Sequence, residues 1–274
     1  MVHACGRRLH GEQAARWATL VFATMLLPLA SAGAVLTDPF LALGMTLSMV
    51  SFVLAPTDPR PLWRYGFFVG LAIGLLAKGP LTLVLVAGAL VPWMLWHRNA
   101  RACLRALPWA GGTALMLTLT LPWYIAAEIK TPGFFQYFLV GEHLLRFIDP
   151  GWEGDRYGSA HQRPYGSIWL DWLLATLPWG VAWLGMALWP RKHAPLRQRV
   201  AAAARDPAQT YLLAWALATP AFFTLSGNIL WTYVLPALPP VALATGLLAS
   251  RWQGVRPQRL AAAAMLLTPA AALA

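Results

Sequence analysis

Long apolar stretches alternate with short polar segments along the whole chain. Most of these stretches are too long and too uniformly apolar to be strands, so they predict helices. Several contain Pro or Gly, which membrane helices tolerate when neighbouring helices satisfy the freed backbone groups. The pattern predicts helices at 17–36, 39–55, 62–77, 80–96, 106–125, 168–189, 209–225, 233–250 and 260–274.

The length of these stretches suits a membrane, since roughly 20 apolar helical residues cross a bilayer core about 30 Å thick. The composition agrees, because 58% of the 274 residues are hydrophobic and only 11% are charged. Soluble domains carry about 25% charged residues. We therefore expect an all-α fold: a polytopic transmembrane helical bundle with about eight or nine helices, forming a single domain over 1–274.

The net charge of +11 comes from basic residues that cluster at the predicted helix ends rather than on one surface. This distribution is typical of cytoplasmic loops in membrane proteins and argues against nucleic acid as a partner. If the N-terminus is cytoplasmic and sides alternate, 16 of the 21 Lys and Arg residues fall on the inside. We expect a multi-pass inner (plasma) membrane protein with its chemistry on the periplasmic face.

The longest outer segment, 126–167, is predicted to be a periplasmic loop that carries a helix of its own. Thr131 and Pro132 are suited to the N-cap and first position of a helix. The following residues up to Phe147 mix aromatic and aliphatic side chains with a few polar ones, which is typical of an amphipathic helix lying at the membrane interface.

Two charged residues lie at tight outer turns. Asp38, in LTDPF, fits a turn former or a helix N-cap, although a carboxylate so near lipid is also a candidate functional group. Lys78, in LLAKGP, fits a lysine that reaches the interface from a helix C-terminus, and equally a cation that binds phosphate. Each reading is open from the residues alone.

Further polar residues appear on the same predicted side. Glu142, His143 and Arg146 interrupt the apolar surface of the loop helix, and the spacing of three puts His143 and Arg146 on one face. His161 and Arg163 precede the next helix and fit ordinary loop polarity.

Tyr233 lies at the outer end of a later helix, where it fits a belt tyrosine or a phenol that donates to a phosphate oxygen. Because all these residues come from separate turns on one side, a shared outer cavity for an anionic ligand would account for them together.

Several blocks, taken in order, resemble a known family: LTDPF, GLAIGLLAKGP, PWYIAAEIKTPGFFQYFLVGEHLLRF, HQRPYGSIWL, LLATLPW and TYVLPALPP. Together they are similar to the lipid-linked glycosyltransferases of the GT-C superfamily, above all to bacterial aminoarabinose transferases and their protein O-mannosyltransferase relatives. The resemblance implies transfer of a sugar from a polyprenyl-phosphate donor to a lipid, protein or glycan acceptor of the envelope. Membrane lipids would be the other partners.

The resemblance also implies roles for particular residues. Asp38 matches an outer-face acidic position and Lys78 a lysine near the reaction centre, so both are expected to be catalytic. Arg146 and Tyr233 match residues that hold the donor phosphate. The segment around Glu142 and His143 resembles a region where some relatives bind a divalent metal, which makes His143 a weak candidate ligand and such a metal the only cofactor to consider.

One departure from the family concerns its principal catalytic acid, which lies in the first outer loop. No Asp or Glu precedes Asp38 on the predicted outer side, so we expect the domain to be incomplete at its N-terminus. Two other functions stay open at this point. A transporter or flippase for an anionic lipid would also place cations in a membrane cavity, and a non-catalytic protein could bind polyprenyl phosphate.

Overall fold

The computed structural model describes residues 1–58, 60–97, 100–149, 151, 152, 154, 161–181 and 196–251, and these residues are mostly helical. The all-α prediction is therefore confirmed. The predicted segment 260–274, the part of 168–189 beyond 181 and parts of the 126–167 loop lie outside the described residues. The α-helices are α1 Val2–His10, α2 Glu12–Ala23, α3 Leu26–Ser31, α4 Asp38–Leu54, α5 Pro61–Lys78, α6 Leu81–Trp96, α7 Arg101–Ala106, α8 Trp109–Lys130, α9 Ile168–Ala175, α10 Leu196–Arg205, α11 Pro207–Phe223 and α12 Leu238–Ser250, with a π-helix at Gln136–Leu145 that ends in the α-helical turn Arg146–Ile148, and a 3₁₀ helix at Trp231–Ala237.

The prediction of one helix over 17–36 was wrong, because the chain breaks between α2 and α3. At the break, the hydroxyl of Thr24 accepts a hydrogen bond of 2.7 Å from the indole of Trp179, and the backbone N–H of Leu26 donates to the oxygen of Leu177. A contact with a segment about 150 residues away therefore satisfies the backbone N–H of Leu26, which the break leaves without a helical partner. Apolarity alone does not reveal such partners.

Helices α4 and α5 form an antiparallel hairpin whose contact surface is lined with glycine and serine. A Cβ on Gly44 would lie 2.5 Å from the backbone oxygen of Gly70 and 2.7 Å from the nitrogen of Gly74. The hydroxyl of Ser48 donates a hydrogen bond of 2.9 Å to the oxygen of Phe67. Small residues at such spacing let helix backbones approach closely. The hairpin brings the first residue of α4 beside the last residue of α5.

The core beside this hairpin is built from aromatic and aliphatic side chains of α4, α5, α6 and α11. The hydroxyl of Tyr211, which is buried, donates a hydrogen bond of 2.6 Å to the backbone oxygen of Met49. Trp93 packs edge-on against Tyr211 at 5.0 Å between ring centroids and donates from its indole to the oxygen of Pro207. Each buried polar atom of these rings thus has a backbone partner, as an apolar interior requires.

Helix α8 lies at the edge of the bundle and exposes most of its apolar side chains, among them Leu119, Leu121 and Ile125. It packs against α5 along one narrow stripe, where Gly112 leaves room for the ring of Phe68. Among the described residues, Trp109–Lys130 and Trp231–Ser250 are long and apolar enough to cross a membrane by length and composition. An exposed apolar helix of this length is what lipid contact favours.

The two ends of the bundle differ in chemistry. At one end, which we name the Arg64 end, Arg8 donates to Thr57 and Arg64 donates to the backbone oxygen of Ala106. Asp58 follows Thr57 in the turn between α4 and α5. The hydrogen bond from Arg60 to its carboxylate holds the pKa of Asp58 at about 2, below the usual 3.8. The opposite end, which we name the Asp38 end, carries the residues of the candidate site.

The loop after α8 begins differently from the prediction. Thr131 follows the last residue of α8 instead of starting a new helix, so that prediction was wrong. The carboxylate of Glu128 accepts hydrogen bonds from the backbone N–H groups of Gly133 and Phe135, at 3.0 and 2.8 Å, and so performs the capping role expected of Thr131. Gly133 has a φ of +87°, which favours glycine at this turn.

Candidate functional site

An ion pair joins α4 to α5 at the Asp38 end. The ammonium of Lys78 lies 3.0 Å from Oδ1 of Asp38, and the side chains are 24% and 5% exposed. Asp38 is the first residue of α4 and Lys78 the last of α5. Helix dipoles favour an anion at a helix N-terminus and a cation at a C-terminus. The pair is therefore stabilised by both helices, and its cation is the more accessible partner.

The 3₁₀ helix Trp231–Ala237 supplies two further contacts to this pair. The hydroxyl of Thr232 donates a hydrogen bond of 2.9 Å to Oδ2 of Asp38. The ammonium of Lys78 lies 4.9 Å from the ring centroid of Tyr233, within the range of a cation–π contact. Three of the predicted site residues, Asp38, Lys78 and Tyr233, are thus brought together.

Two side chains from other segments bind the C-terminal carbonyl groups of α5. The hydroxyl of Tyr124, on α8, donates a hydrogen bond of 2.6 Å to the backbone oxygen of Leu75. Nε2 of His143, on the π-helix, lies 2.8 Å from the backbone oxygen of Lys78. The carbonyl oxygen of Leu75 also accepts from the backbone N–H of Gly79, so the hydroxyl of Tyr124 is its second donor. The carbonyl of Lys78, the last residue of α5, lies beyond the intrahelical hydrogen bonds, and His143 is its partner.

Both ring nitrogens of His143 face backbone carbonyl groups. Nδ1 lies 2.6 Å from the oxygen of Phe138, in addition to the contact of Nε2 with Lys78. A carbonyl oxygen only accepts, so a neutral imidazole donates one of these hydrogen bonds and an imidazolium donates both. A metal would have to displace one of them. Within the described part of the chain, no three His, Cys, Asp or Glu residues form a group that could hold a metal ion.

Glu142 and Arg146 form the charged part of the π-helix segment. Oε2 of Glu142 lies 2.8 Å from Nη1 of Arg146, and Oε1 accepts a hydrogen bond of 2.6 Å from the hydroxyl of Tyr137. The side chains of Glu142 and Arg146 are each 17% exposed. A π-helix, with its wider turn, brings residues five apart into contact, as it does for Tyr137 and Glu142. The carboxylate thus fixes the direction of the guanidinium.

A series of rings connects the Arg146 segment to Tyr233. Phe147, the residue after Arg146, packs on Phe222 at 4.7 Å between centroids, and Phe223 packs on Tyr233 at 4.9 Å. Phe222 and Phe223 are neighbours near the end of α11. Phe147 and Tyr233 thus contact neighbouring residues at the end of α11, so the segment that carries Arg146 packs against the same end of α11 as the 3₁₀ helix does.

His161 and Arg163 are held in structural contacts. The backbone of His161 bonds to Asn228 and Ile229, and its side chain is exposed. The guanidinium of Arg163 pairs with both oxygens of Asp171, at 2.5 and 3.0 Å, and its backbone N–H donates to Gly227. These bonds fasten the segment before α9 to the segment that leads into the 3₁₀ helix.

Three residues of this region were not singled out from the sequence. Thr232, Tyr137 and Asp171 each bind a charged residue that was predicted to belong to the site. Thr232 directly precedes Tyr233 in the TYVLP block, and Asp171 follows the HQRPYGSIWL block by one position. Their positions beside those blocks were the available signal, but a hydroxyl or a carboxylate has no recognisable partner in the sequence alone.

Comparison with known proteins identifies relatives over most of the chain. The family model described as dolichyl-phosphate-mannose-protein mannosyltransferase matches residues 1–138, half of the chain. An undecaprenyl phosphate-alpha-4-amino-4-deoxy-L-arabinose arabinosyl transferase of Erwinia tasmaniensis is 33% identical over 229 residues, which are 82% of this chain and 38% of that protein. A transferase with the same description from Pseudomonas fluorescens (strain Pf0-1) is 32% identical over 231 residues, 81% of this chain and 37% of that protein.

Solved structures show the same fold. The crystal structure of ArnT from Cupriavidus metallidurans bound to undecaprenyl phosphate matches 98% of this chain and 47% of its own, with a TM-score of 0.75 and 22% identity. The apo structure of the same protein matches 92% of this chain and 43% of its own, with a TM-score of 0.72.

The chain spans less than half the length of these relatives. The resemblance inferred from the sequence motifs is confirmed, and the helical bundle is that of a membrane-embedded protein. On the match over half of its residues, the chain belongs to the dolichyl-phosphate-mannose-protein mannosyltransferase family.

Proposed function

We propose that the protein is a glycosyltransferase that moves a sugar from a polyprenyl-phosphate donor to a lipid, protein or glycan acceptor. The relatives named above support this reaction class, because they are described as transferases that use undecaprenyl-phosphate aminoarabinose. The observation that carries the proposal is the partly exposed ammonium of Lys78, held by the buried carboxylate of Asp38 and placed over the ring of Tyr233.

Lys78, Arg146 and Tyr233 would together bind the donor phosphate. As the bond between the anomeric carbon and the phosphate oxygen breaks, negative charge grows on the departing polyprenyl phosphate. Cations and hydroxyl donors fixed in advance stabilise that charge without having to reorganise. An arginine guanidinium can present parallel donors to a phosphate, and that of Arg146 would do so while it also pairs with Glu142. Lys78 would supply a compact charge.

Asp38 would position Lys78 rather than take a proton from the acceptor. One of its oxygens lies beside the ammonium of Lys78 and the other accepts from Thr232, and the residue is 3% exposed. A base must reach the hydroxyl that it deprotonates. Both oxygens of Asp38 would have to leave their partners first. This differs from the catalytic role that the family resemblance implies for Asp38.

Glu142 would orient Arg146, and Arg163 would hold the loop around the site through Asp171. The backbone bonds of His161 support the same structural role. Neither His161 nor Arg163 is needed as a phosphate ligand in this proposal.

The protein would cross the inner membrane several times, with the Asp38 end on the periplasmic side. The excess of Lys and Arg in segments of the Arg64 end supports this orientation, because cytoplasmic loops carry such an excess. The 126–167 loop would then be periplasmic, and its π-helix would lie at the outer interface.

The proposal is tested by purifying the chain in nanodiscs and measuring both polyprenyl-phosphate binding and sugar transfer from undecaprenyl-phosphate aminoarabinose to lipid A. The expected result is saturable binding that Lys78→Ala and Arg146→Ala each reduce at least tenfold. In any form of the protein that transfers sugar, both substitutions should abolish transfer. Lys130→Ala is the matched control, since it removes one exposed cation from the same end of the bundle.

Unchanged binding in both site variants would overturn the assigned residues. Movement of labelled polyprenyl phosphate across the bilayer without any glycosyl product would instead favour a transporter. Binding without transfer in a form of the protein that carries the acidic outer loop of the family would favour a non-catalytic lipid-binding protein.

A further inference from the structure

We propose that His143 is a positioning residue that fixes the distance between Lys78 and Arg146, and thereby sets the affinity for the donor phosphate. This inference rests on the proposed function, since it concerns the same phosphate. It adds a residue that would act through Lys78 without touching the ligand.

The first observation is the contact itself. Nε2 of His143 lies 2.8 Å from the backbone oxygen of Lys78, although 65 residues separate the two along the chain. His143 belongs to the π-helix, and Arg146 follows it by three residues in the same continuous helical segment. A movement of the π-helix backbone relative to the C-terminal end of α5, and so of the backbones that carry the two cations, must therefore break or stretch this contact.

The second observation is the close fit at Gly79. This residue has a φ of +58°, in the region that favours glycine, and it ends α5 immediately after Lys78. A Cβ built there would lie 2.8 Å from Cε1 and Nε2 of His143, and equally close to Cε1 of Phe138. The imidazole thus fills the space above the turn, and the turn accommodates it because it has no side chain.

The ring of His143 is itself held in place by Phe138. Its Nδ1 lies 2.6 Å from the oxygen of Phe138, and the ring of Phe138 packs edge-on against it at 4.7 Å between centroids. A side chain that is held by packing against a neighbouring ring loses little entropy when it binds its target. His143 therefore forms a rigid link between the π-helix and the C-terminal end of α5.

The consequence concerns phosphate binding. A phosphate that contacts both cations requires them at one separation, and an error of about 1 Å in such a site is costly. Loss of the contact would leave Lys78 paired with Asp38 and Arg146 paired with Glu142. Both charges would survive, but their common geometry would be relaxed.

Two substitutions separate hydrogen bonding from packing. His143→Phe keeps an aromatic ring against Phe138 but has no donor, whereas His143→Gln has an amide that can donate to one carbonyl group. We expect affinity for undecaprenyl phosphate to fall about tenfold in His143→Phe and less in His143→Gln, since one hydrogen bond to a carbonyl is at stake. His3→Phe, near the Arg64 end, is the control and should bind as the wild type.

A third substitution approaches the contact from the other side. Gly79→Ala leaves Lys78, His143 and Arg146 chemically intact but puts a methyl group where the imidazole lies. It should weaken binding like His143→Phe, and the two changes together should cost less than the sum of their separate effects. Additive losses would contradict a shared contact.

The decisive measurement is made in a Lys78→Met background, at a temperature well below the unfolding midpoint of every variant. If His143 acts through Lys78, then His143→Phe should not weaken binding further once Lys78 is gone. An equal loss of affinity with and without Lys78, or unchanged affinity in both His143→Phe and Gly79→Ala, would overturn the inference. Failure of the wild type to bind undecaprenyl phosphate would instead count against the proposed function, so the two failures are distinguishable.

Discussion

The carboxylate of Asp38 and the ammonium of Lys78, 3.0 Å apart, join the beginning of one buried helix to the end of its neighbour. The anion is almost entirely buried, whereas about a quarter of the cation's side chain is exposed. The two residues therefore depend on each other unequally. The buried carboxylate of Asp38 needs the opposite charge of Lys78 as its partner, and Lys78 needs Asp38 chiefly for its position.

This asymmetry gives a first prediction, about stability. Lys78→Met leaves a buried carboxylate with Thr232 as its remaining partner, and should lower the free energy of unfolding by about 1–3 kcal/mol. The double variant Asp38→Asn with Lys78→Met removes the unpaired charge and should recover most of that loss. Thermal unfolding in detergent measures both effects, and sugar transfer should be absent in both variants.

If the double variant were less stable than Lys78→Met alone, the buried charge would not be the source of the loss. If either variant kept full transfer activity, Lys78 would have no part in binding the donor.

A second prediction concerns the contact between Glu142 and Arg146. Glu142→Gln preserves an acceptor for the hydroxyl of Tyr137 but removes the charge that directs the guanidinium. We expect the Kd for polyprenyl phosphate to rise about threefold to tenfold, while Arg146→Ala abolishes detectable binding. Isothermal titration in nanodiscs measures this order. Equal effects of the two substitutions would contradict a merely orienting role for Glu142.

A third prediction tests the glycine-lined contact between α4 and α5. Gly44→Ala places a methyl group against the backbone of Gly70 and Gly74, which cannot move without separating the helices, so it should destabilise the protein by about 1–3 kcal/mol. Gly88→Ala is the matched control, because no atom lies within 4 Å of the added carbon and alanine favours a helix. Its unfolding midpoint should be unchanged or slightly higher. Equal midpoints for the two variants would argue against close packing at Gly44.

A fourth prediction follows from the low pKa of Asp58, which is about 2 when folded because Arg60 donates to its carboxylate. The unfolded chain should titrate near the ordinary value of 3.8. Since the folded pKa is the lower one, ionised Asp58 stabilises the fold above about pH 4, and this contribution is lost as the pH falls toward 2. The difference in unfolding midpoint between the wild type and Asp58→Asn should therefore be constant above about pH 5 and shrink below pH 4. A difference that persists undiminished at pH 2 would contradict this origin.

The helices were largely predictable because the backbone of a long apolar segment must satisfy its own hydrogen bonds, and a helix does so within the segment. The predicted segments 62–77 and 80–96 agree closely with α5 and α6. Helix α1 was missed, since Arg7 and Arg8 give its sequence a polar character. Its apolar residues Val2 and Cys5 are nevertheless buried, and the helix packs against α2. Tertiary contacts stabilise the helical conformation of such a segment, and these contacts cannot be recognised from its local composition.

The candidate site was predictable as a set of polar residues on one side, but its internal pairing was not. The approach of Asp38, Lys78 and Tyr233 agrees with that expectation. The spacing of three linked His143 with Arg146, whereas Glu142, four residues before Arg146, bonds to it. That spacing of four is an ordinary ion-pair spacing in a helix and was available from the sequence. A sequence carries no clear sign of a π-helix, so the partner of His143, a backbone oxygen 65 residues away, could not be foreseen.

The seam of glycine and serine between α4 and α5 has a consequence for how the family tolerates change. Because the two backbones touch, the positions of Asp38 and Lys78 depend on glycine residues that lie about one to two helical turns away from them. Substitutions at Gly44, Gly70 and Gly74 are therefore expected to inactivate the protein, although none of these residues is part of the charged group itself. A survey of natural variants that is restricted to the polar residues of the Asp38 end would overlook these glycines.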